Sequence, residues 1–255
     1  MTLVLTTVPC LKDNYAFIIG NSATKEAAVI DVPQAAPINA AILAGGWNLT
    51  TVLLTHHHSD HIDGLIGLTN REGLHIVGAS ADAHRLPFLD TAVRDGDTIT
   101  ACGEKARILD VSGHTIGHVA FYFAQSGFAF TGDSLMALGC GRLFEGSPAQ
   151  MWDSMQRLRE LPSQTIICSG HEYTASNAAF ALTLEPDNEN LRSRVKDIKA
   201  ATVIGEPTIP SILAIEQQTN PFLRADVAAL KIAIGMDHAD STTVFAHIRD
   251  QKDQF

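Results

Sequence analysis

Four short apolar segments of the chain each end within a few residues of a histidine or an aspartate. They are TVLLT at 51–55, ARILDV at 106–111, GFAFTG at 127–132 and TIICSG at 165–170, and they lead to His56, His114, Asp133 and His171. Apolar, β-branched runs of this length are typical of buried strands. If the strands share a sheet edge, their ends bring the polar side chains to one place, where α/β folds commonly hold their sites. The pattern therefore predicts a sheet-based fold with a polar site at one sheet edge.

The spacing after the first of these strands indicates a metal site. Alternate side chains of an extended segment point the same way, so His56 and His58 can bind one ion. Asp60 and His61, past a turn, can face a second ion. Imidazole and carboxylate together suit zinc, iron or manganese rather than calcium. His57 lies between the ligands, and we expect its side chain to point away from them.

The first two-thirds of the chain alternates strand and helix patterns, and the last third is mostly helical. Further strands are predicted for LVLTTV at 3–8, YAFII at 15–19, AAVIDV at 27–32, HIVGA at 75–79 and HVAFYF at 118–123. Helices are predicted at 35–44, after Ser147, and at about 174–184, 187–201 and 242–253, with prolines at 207, 210 and 221 interrupting the region between. We therefore predict an α/β domain over residues 1–172 and a smaller helical domain over residues 173–255.

The helix after Ser147 has the clearest local signals. The sequence S-P-A-Q reads as a capping box with Pro148 at the first helical position. The helix repeats apolar residues at the helical period, which predicts a face packed on a sheet. Those residues are Met151, Trp152, Met155, Leu158 and Leu161.

Composition and charge exclude several classes of function. The net charge of −10 disfavours a general nucleic-acid binder, and an anionic substrate would need local positive charge. The four cysteines are scattered without a CxxC pair, which favours reduced thiols. The N-terminus has no basic leader, and no apolar run reaches the roughly 20 residues of a membrane span. We expect a cytoplasmic protein, monomeric and without a membrane or nucleic-acid partner.

Together, the motifs resemble those of the metallo-β-lactamase superfamily. The relevant segments are THHHSDH at 55–61, GHT at 113–115, GDS at 132–134 and GHEY at 170–173. The chain resembles one branch more closely, the hydroxyacylglutathione hydrolase (glyoxalase II) family, over nearly its whole length. That closer resemblance includes GCGRLFEG at 139–146, NPF at 220–222 and KDQF at 252–255. It implies an αββα sandwich, two sheets between helix layers, followed by a mostly helical domain.

The resemblance assigns a role to each candidate residue. It implies that one metal ion is bound by His56, His58 and His114, a second by Asp60, His61 and His171, and that Asp133 bridges them. Asp60 and Asp133 are the implied catalytic residues, with Asp60 orienting the attacking hydroxide. The implied glutathione-binding residues are Arg142, Tyr173, Arg249 and Lys252. Spacing alone also fits a solvated helix end for Arg249 and Lys252.

Four positions depart from the pattern of relatives. Arg142 stands where some have lysine and keeps the charge, whereas Phe144 stands where some have tyrosine and lacks its hydroxyl. Ile62 and Asp63 replace the small residues often found after the last histidine of the motif, and no ligand is lost.

The implied reaction hydrolyses S-D-lactoylglutathione, a 2-hydroxyacyl thioester, to D-lactate and glutathione, the second step of methylglyoxal detoxification. Two divalent ions, most simply zinc, with iron and manganese also fitting, would activate the water, so no serine or cysteine nucleophile is required. The thiolate leaving group needs little protonation near neutral pH. Arg142, Arg249 and Lys252 would supply the positive charge that the acidic background lacks.

Three alternatives remain open at this point. A persulfide dioxygenase of the same superfamily, with one iron held by two histidines and one aspartate, would keep many of the motifs, although the KDQF tail and Arg249 argue against it. A hydrolase of another ester or lactone, such as a homoserine lactone, would keep the metal ligands. A non-enzymatic metal protein is the third, but structural sites are usually closed around one metal.

Overall fold

The computed structural model describes residues 3–255. Met1 and Thr2, with which the predicted first domain begins, lie outside the described residues. The described chain divides into two compact units, the first made of the residues up to Asp110 together with Ile116–Gly132, the second of Val111–Thr115 and Asp133–Phe255. Each unit is built from two separate stretches of the chain, so this division does not test a single boundary between residues 172 and 173. That boundary stays a prediction.

Two sheets form the first unit. The first sheet has the order β1 (Val4–Cys10), β2 (Asn14–Gly20), β3 (Glu26–Ile30), β4 (Asn48–Leu53), β5 (His75–Ala79) and β6 (Thr91–Val93). Its first three strands are antiparallel, and β3 to β6 are parallel. The strands of the second sheet that belong to this unit pair antiparallel, and they are β7 (Thr98–Ala101), β8 (Glu104–Asp110), β9 (Val119–Phe123) and β10 (Phe128–Gly132). Helices α1 (Ala35–Gly45) and α2 (Ser59–Ile62) connect strands of the first sheet.

The core of the first unit explains why its central strands are almost entirely apolar. The two sheets meet face to face, with the rings of Phe17 on β2 and Phe130 on β10 centred 5.7 Å apart. On the opposite face of the first sheet, Ile38 of α1 packs in one cluster with Val29 and Val52. Strands covered on both faces bury every side chain, so they show no alternation of polar and apolar residues.

In the second unit, helices predominate. A hairpin of β11 (Leu135–Met136) and β12 (Gly139–Cys140) is followed by α3 (Pro148–Arg159), β13 (Ile166–Ser169), α4 (Thr174–Leu184) and α5 (Glu189–Val203). The chain then forms β14 (Ser211–Ile212), α6 (Leu213–Thr219), α7 (Ala228–Ala233) and α8 (Ser241–Gln254), with β14 antiparallel to β13. Within residues 3–255, no helix has the length and apolar character needed to cross a membrane.

The predicted capping box at the start of α3 is confirmed. Gln150 N donates to Ser147 Oγ at 3.3 Å, and Ser147 N donates to the Gln150 side chain at 2.9 Å. The apolar face of α3 is buried as predicted, but the contact that the structure gives for Trp152 is with a helix: its ring packs against Phe245 of α8, with ring centroids 5.9 Å apart. The helices of the second unit thus bury part of the surface that the sequence assigned to a sheet.

Candidate metal and substrate site

The first unit presents the HxHxDH motif in the segment that follows β4 and runs into α2. His56 is fully buried and His58 is half-buried, and His56 Nε2 lies 3.1 Å from His58 Nδ1. Two nitrogens on one tetrahedral zinc ion, each about 2.0–2.1 Å from it, would be about 3.3 Å apart. The structure therefore brings these two predicted ligands together at a spacing that a metal ion fits.

Asp31 fixes the protonation of two histidine rings in this motif. Its Oδ2 accepts from His61 Nδ1 and from Thr55 Oγ1, at 2.8 Å each. Because the threonine proton is directed to Asp31, His56 Nδ1 must donate to Thr55 Oγ1, at 3.0 Å. Both imidazoles therefore carry their proton on Nδ1, and each presents the lone pair of Nε2, which is the form that binds a metal.

Asp60 stands next to His61 at the start of α2. Its Oδ2 lies 3.8 Å from His61 Nε2 and accepts from Asn14 Nδ2 at 2.9 Å. Asn14 is buried and also donates to the main-chain oxygen of Asp60 at 3.1 Å. Since His61 Nε2 carries a lone pair, it and the carboxylate oxygen are both acceptors, and a cation is the natural partner for the pair.

His57 is oriented by a different contact. Its Nδ1 lies 2.8 Å from Oδ2 of Asp82, a buried carboxylate that Arg85 also contacts. Gly117 packs so closely on Asp82 that an added Cβ atom would lie 2.2 Å from the carboxylate carbon. The His57 side chain is therefore used to tie the motif to Asp82, in agreement with the expectation that it points away from the ligands.

In the second unit, Asp133 lies between two of the predicted histidine ligands. Its Oδ2 is 3.4 Å from His114 Nε2 and 3.2 Å from His171 Nε2, and all three residues are buried. His114 Nδ1 donates to the main-chain oxygen of Arg142 at 2.8 Å, so Nε2 carries the lone pair and faces another acceptor. Such a buried pair of acceptors calls for a cation between them, and a metal ion can fill that place. One oxygen flanked by two imidazole nitrogens also suits a bridging carboxylate.

Two exposed aromatic rings pack on the histidines of the second unit. Tyr173 is stacked on His171, with ring centroids 4.7 Å apart and planes 9° apart. Phe144 meets His114 edge-on at 5.2 Å. With 39% of Tyr173 and 63% of Phe144 exposed, both rings remain available to a ligand while they restrict the movement of the histidines.

Two of the three predicted substrate-binding cations share one carboxylate. Asp253 Oδ1 lies 3.5 Å from Arg142 Nε and 2.9 Å from the Arg249 guanidinium. Lys252, half-buried, donates to Ser176 Oγ at 3.1 Å. Burial, followed by the charges of Arg249 and Arg142, lowers the pKa of Lys252 to about 8. Three cations against one carboxylate leave this cluster positive, as an anionic ligand requires.

Within this cluster, the three cations differ in accessibility. Arg142 is largely exposed, Lys252 is half-buried, and Arg249 is only 4% exposed. Arg249 donates to the main-chain oxygen of Cys140 at 2.9 Å, and its guanidinium lies over the ring of Phe222 at 5.0 Å. Arg249 therefore has a structural role in the second unit, in addition to any contact with a ligand.

The cysteines are unsuited to nucleophilic chemistry. All four are free and buried. Burial raises the pKa of Cys140 to about 11 and that of Cys102 to about 12, and it raises the pKa of Cys10 and Cys168 as well. At neutral pH these groups are thiols rather than thiolates, and the thiolate is the nucleophile.

The His and Asp clusters are consistent with a binuclear metal site. Their imidazole nitrogens and carboxylate oxygens form the donor set of zinc, iron or manganese. The sequence interpretation missed two supporting residues, Asp31 and Asn14. Asp31 is the second-last residue of the predicted run AAVIDV, so it shows a signal like the one that identified Asp133, a carboxylate near a strand end. Asn14 had no such signal.

Comparison with known proteins identifies the family. Residues 14–171 match the family model of the metallo-beta-lactamase superfamily, and residues 172–255 match that of the hydroxyacylglutathione hydrolase C-terminus. The chain is 56% identical to a hydroxyacylglutathione hydrolase of Cereibacter sphaeroides over the full length of both proteins. It is 58% identical to one from a Jannaschia species, covering 98% of this chain and 97% of that protein.

The solved structures agree on the fold. The crystal structure of ETHE1 from Myxococcus xanthus superposes with a TM-score of 0.62 at 22% identity, covering 99% of this chain and 98% of that one. The predicted metallo-β-lactamase αββα fold followed by a helical region is therefore confirmed, and the chain belongs to the hydroxyacylglutathione hydrolase family.

Proposed function

We propose that the chain hydrolyses S-D-lactoylglutathione and related 2-hydroxyacylglutathiones, releasing the 2-hydroxy acid and glutathione. Two relatives more than half identical to it are hydroxyacylglutathione hydrolases. The observation that best supports the chemistry is the position of Asp133 Oδ2, within 3.4 Å of two imidazole nitrogens. Because His114 Nε2 carries a lone pair, that arrangement is built for a cation, and metal-bound water can hydrolyse a thioester without a nucleophilic side chain.

We assign the ligands as the motifs indicate. His56, His58 and His114 would hold one ion, Asp60, His61 and His171 would hold the other, and Asp133 would be shared by both. Zinc is our assignment for both, and the donor set also suits iron and manganese. When bound, a pair of divalent ions supplies Lewis acidity, which lowers the pKa of water to about 7 and polarises a carbonyl oxygen.

The residues around the donors prepare them for this chemistry. Asp31 keeps the Nε2 lone pairs of His56 and His61 directed outward, through the hydrogen bonds described above. Asn14 Nδ2 donates to Asp60 Oδ2 at 2.9 Å and so fixes the carboxylate. Oδ1 of Asp60 can then orient the attacking water. The departing glutathione thiolate has a pKa near that of free cysteine, about 8.5, so no general acid is required.

The positive cluster is proposed to bind the carboxylates of glutathione. Arg142 and Lys252 are accessible enough for direct contact, Tyr173 offers its ring, and Arg249 adds positive charge from a buried position. On this basis, residues 1–172 form the catalytic domain and residues 173–255 the substrate-binding domain. A monomer acting in the cytoplasm, with no nucleic-acid partner, remains part of the proposal.

One assay tests the proposal directly. The purified protein is mixed with S-D-lactoylglutathione, and the release of free thiol is measured together with the metal content of the same sample. We expect catalytic thiol release and two ions per chain. Parallel reactions with a homoserine lactone, and oxygen consumption with glutathione persulfide, test the alternatives. Faster lactone turnover, or oxygen consumption with one iron per chain, would replace the proposed reaction.

A further inference from the structure

The hairpin Leu135–Cys140, formed by β11 and β12, connects two parts of the candidate site. It begins two residues after Asp133 and ends two residues before Arg142, whose main-chain oxygen accepts from His114 at 2.8 Å. Gly141 N donates to Ser134 O at 3.1 Å and closes its base. A change in the conformation of this hairpin would therefore move Asp133 and the acceptor that orients His114 together.

The turn of the hairpin is held by side chains from the helices that follow it. Leu138, at its tip, has a φ of 56°, a left-handed conformation that is unfavourable for a branched residue. Five buried side-chain hydrogen bonds hold the backbone of residues 136–140. Glu216 accepts from Leu138 N, Asn177 donates to Ala137 O, Asn220 donates to Met136 O and Gly139 O, and Arg249 donates to Cys140 O.

Glu216 is the charged centre of this arrangement. It is completely buried, and its Oε2 accepts from Leu138 N at 2.8 Å and from Asn220 Nδ2 at 3.2 Å. Arg194 contacts its other oxygen. A buried ion pair often stabilises a protein no better than apolar residues of the same size, so its presence alone does not explain the position. What the carboxylate supplies here is an acceptor for the amide at the strained tip of the hairpin.

We propose that Glu216 and Asn220 are positioning residues for the metal site. By fixing the tip and both strands of the hairpin, they hold Asp133 in the orientation that a metal ion requires. They also hold the Arg142 carbonyl where it orients His114. The inference rests on the proposed metal-dependent function. It places a determinant of metal affinity in the helical region, outside all the motifs that identify the ligands and 43 residues beyond the last of them, which ends at Tyr173.

The test compares Glu216→Gln with Glu185→Gln. Glu185 is a matched control, because it is also a buried carboxylate in the helical region, but its partner is Arg224, at 2.7 Å, instead of the hairpin. We expect both substitutions to lower the melting temperature. Only Glu216→Gln should weaken Co²⁺ binding to the metal-free protein, by about tenfold or more, as losses of groups that orient ligands typically do. It should also raise KM for the glutathione thioester.

Asn220→Ser provides a second variant in case Glu216→Gln does not fold. It removes the donor to two hairpin carbonyls without leaving an unpaired charge, and we expect the same loss of Co²⁺ affinity. Amide hydrogen exchange should become faster at Leu138 and Gly141 in either variant. Unchanged Co²⁺ affinity in the folded variants, or an equal loss in Glu185→Gln, would overturn the inference. The titration needs no substrate, so a wild-type protein that binds Co²⁺ but lacks thioesterase activity would contradict the proposed function alone.

Discussion

Asp31 Oδ2 and His61 Nδ1 are joined by a hydrogen bond of 2.8 Å in the interior of the first unit. The carboxylate can only accept, so the bond fixes the proton of His61 on Nδ1 and directs the Nε2 lone pair toward Asp60. The same oxygen determines the proton position of His56 through Thr55. Asp31, which is not a predicted ligand, thus fixes the proton positions of two histidines that are predicted ligands.

Asp31→Asn should therefore lower metal affinity by about 10- to 100-fold, the usual effect of removing a group that orients a ligand. Asparagine tolerates the left-handed backbone at this position, where φ is 56°, so the substitution isolates the side chain. Metal titration of the metal-free protein measures the effect.

Glu104→Gln is the control for Asp31→Asn. Glu104 is a buried carboxylate of the same unit that accepts from the amides of Gln125 and Ser126, at 2.9 Å each. It should cost stability without changing metal affinity. Equal losses of affinity in the two variants would mean that Asp31 acts only through the fold.

The protein purified without chelator should contain two metal ions per chain. The seven proposed ligands exceed the four positions of one tetrahedral site. Because an ion that binds only the folded state stabilises it, removal by a chelator should lower the melting temperature and re-addition should restore it. A fully active preparation with a single ion would contradict the binuclear assignment.

Asp133→Ala should abolish most of the activity and release at least one ion. The substitution removes the only carboxylate oxygen that lies close to both His114 and His171 among the contacts described for the second unit. His57→Ala is the comparison, because His57 contacts Asp82 and should affect activity far less. Activity and metal content are measured for both. Similar losses of activity and metal in the two variants would show that the assignment of Asp133 as a ligand and His57 as a non-ligand is wrong.

The affinity for the glutathione thioester should fall as pH rises through about 8. Burial and two neighbouring arginines lower the pKa of Lys252 to about 8, so the side chain loses its positive charge as the pH rises through that value. Binding of an anion requires the protonated form, so KM should rise between about pH 7 and pH 9. Lys252→Arg keeps the charge at both values, and its KM should be nearly constant. A wild-type KM that does not change with pH would exclude direct contact by Lys252.

Lys252→Ala and Arg249→Ala should differ in their effect on stability. A hydrogen bond to a charged group contributes roughly 1.5–3 kcal/mol, so Lys252→Ala should raise KM about ten- to a hundredfold with kcat nearly unchanged. Arg249→Ala removes a positive charge from a buried position, and it should raise KM by less. Arg249→Ala should also lower the melting temperature, because it leaves the Cys140 carbonyl unpaired in the interior. Unchanged KM in both variants would remove these residues from the substrate site.

Most of the regular structure follows from local patterns. All nine predicted strands and all five predicted helices are present, because each is long enough for periodicity or apolar runs to mark it. The strands that were not predicted are Thr91–Val93, Thr98–Ala101, Leu135–Met136, Gly139–Cys140 and Ser211–Ile212. They are short, and they depend on neighbours rather than on their own sequence. The short helices Ser59–Ile62, Leu213–Thr219 and Ala228–Ala233 were missed for the same reason.

The candidate site shows a similar limit. The seven proposed ligands could be identified because they follow strands, and the spacing of His56 and His58 suggested a shared ion before their 3.1 Å contact was known. Asn14 and Glu216 could not be identified, because their roles depend on long-range hydrogen bonds. Burial of Arg249 was likewise unpredictable, since the spacing of the last helix indicates only which residues share a face.

Gly141 limits how this enzyme could be engineered. A Cβ atom there would lie 2.1 Å from the main-chain oxygen of Asp133 and 2.8 Å from His114 Nδ1, so even alanine would disturb two proposed ligands. The flanking positions Arg142 and Phe144 have exposed side chains. A mutant library aimed at new acyl or thiol groups should therefore vary residues 142 and 144 and keep glycine at 141. Any other residue at position 141 would disturb the proposed metal ligands, so those variants would be inactive whatever they carry at 142 and 144.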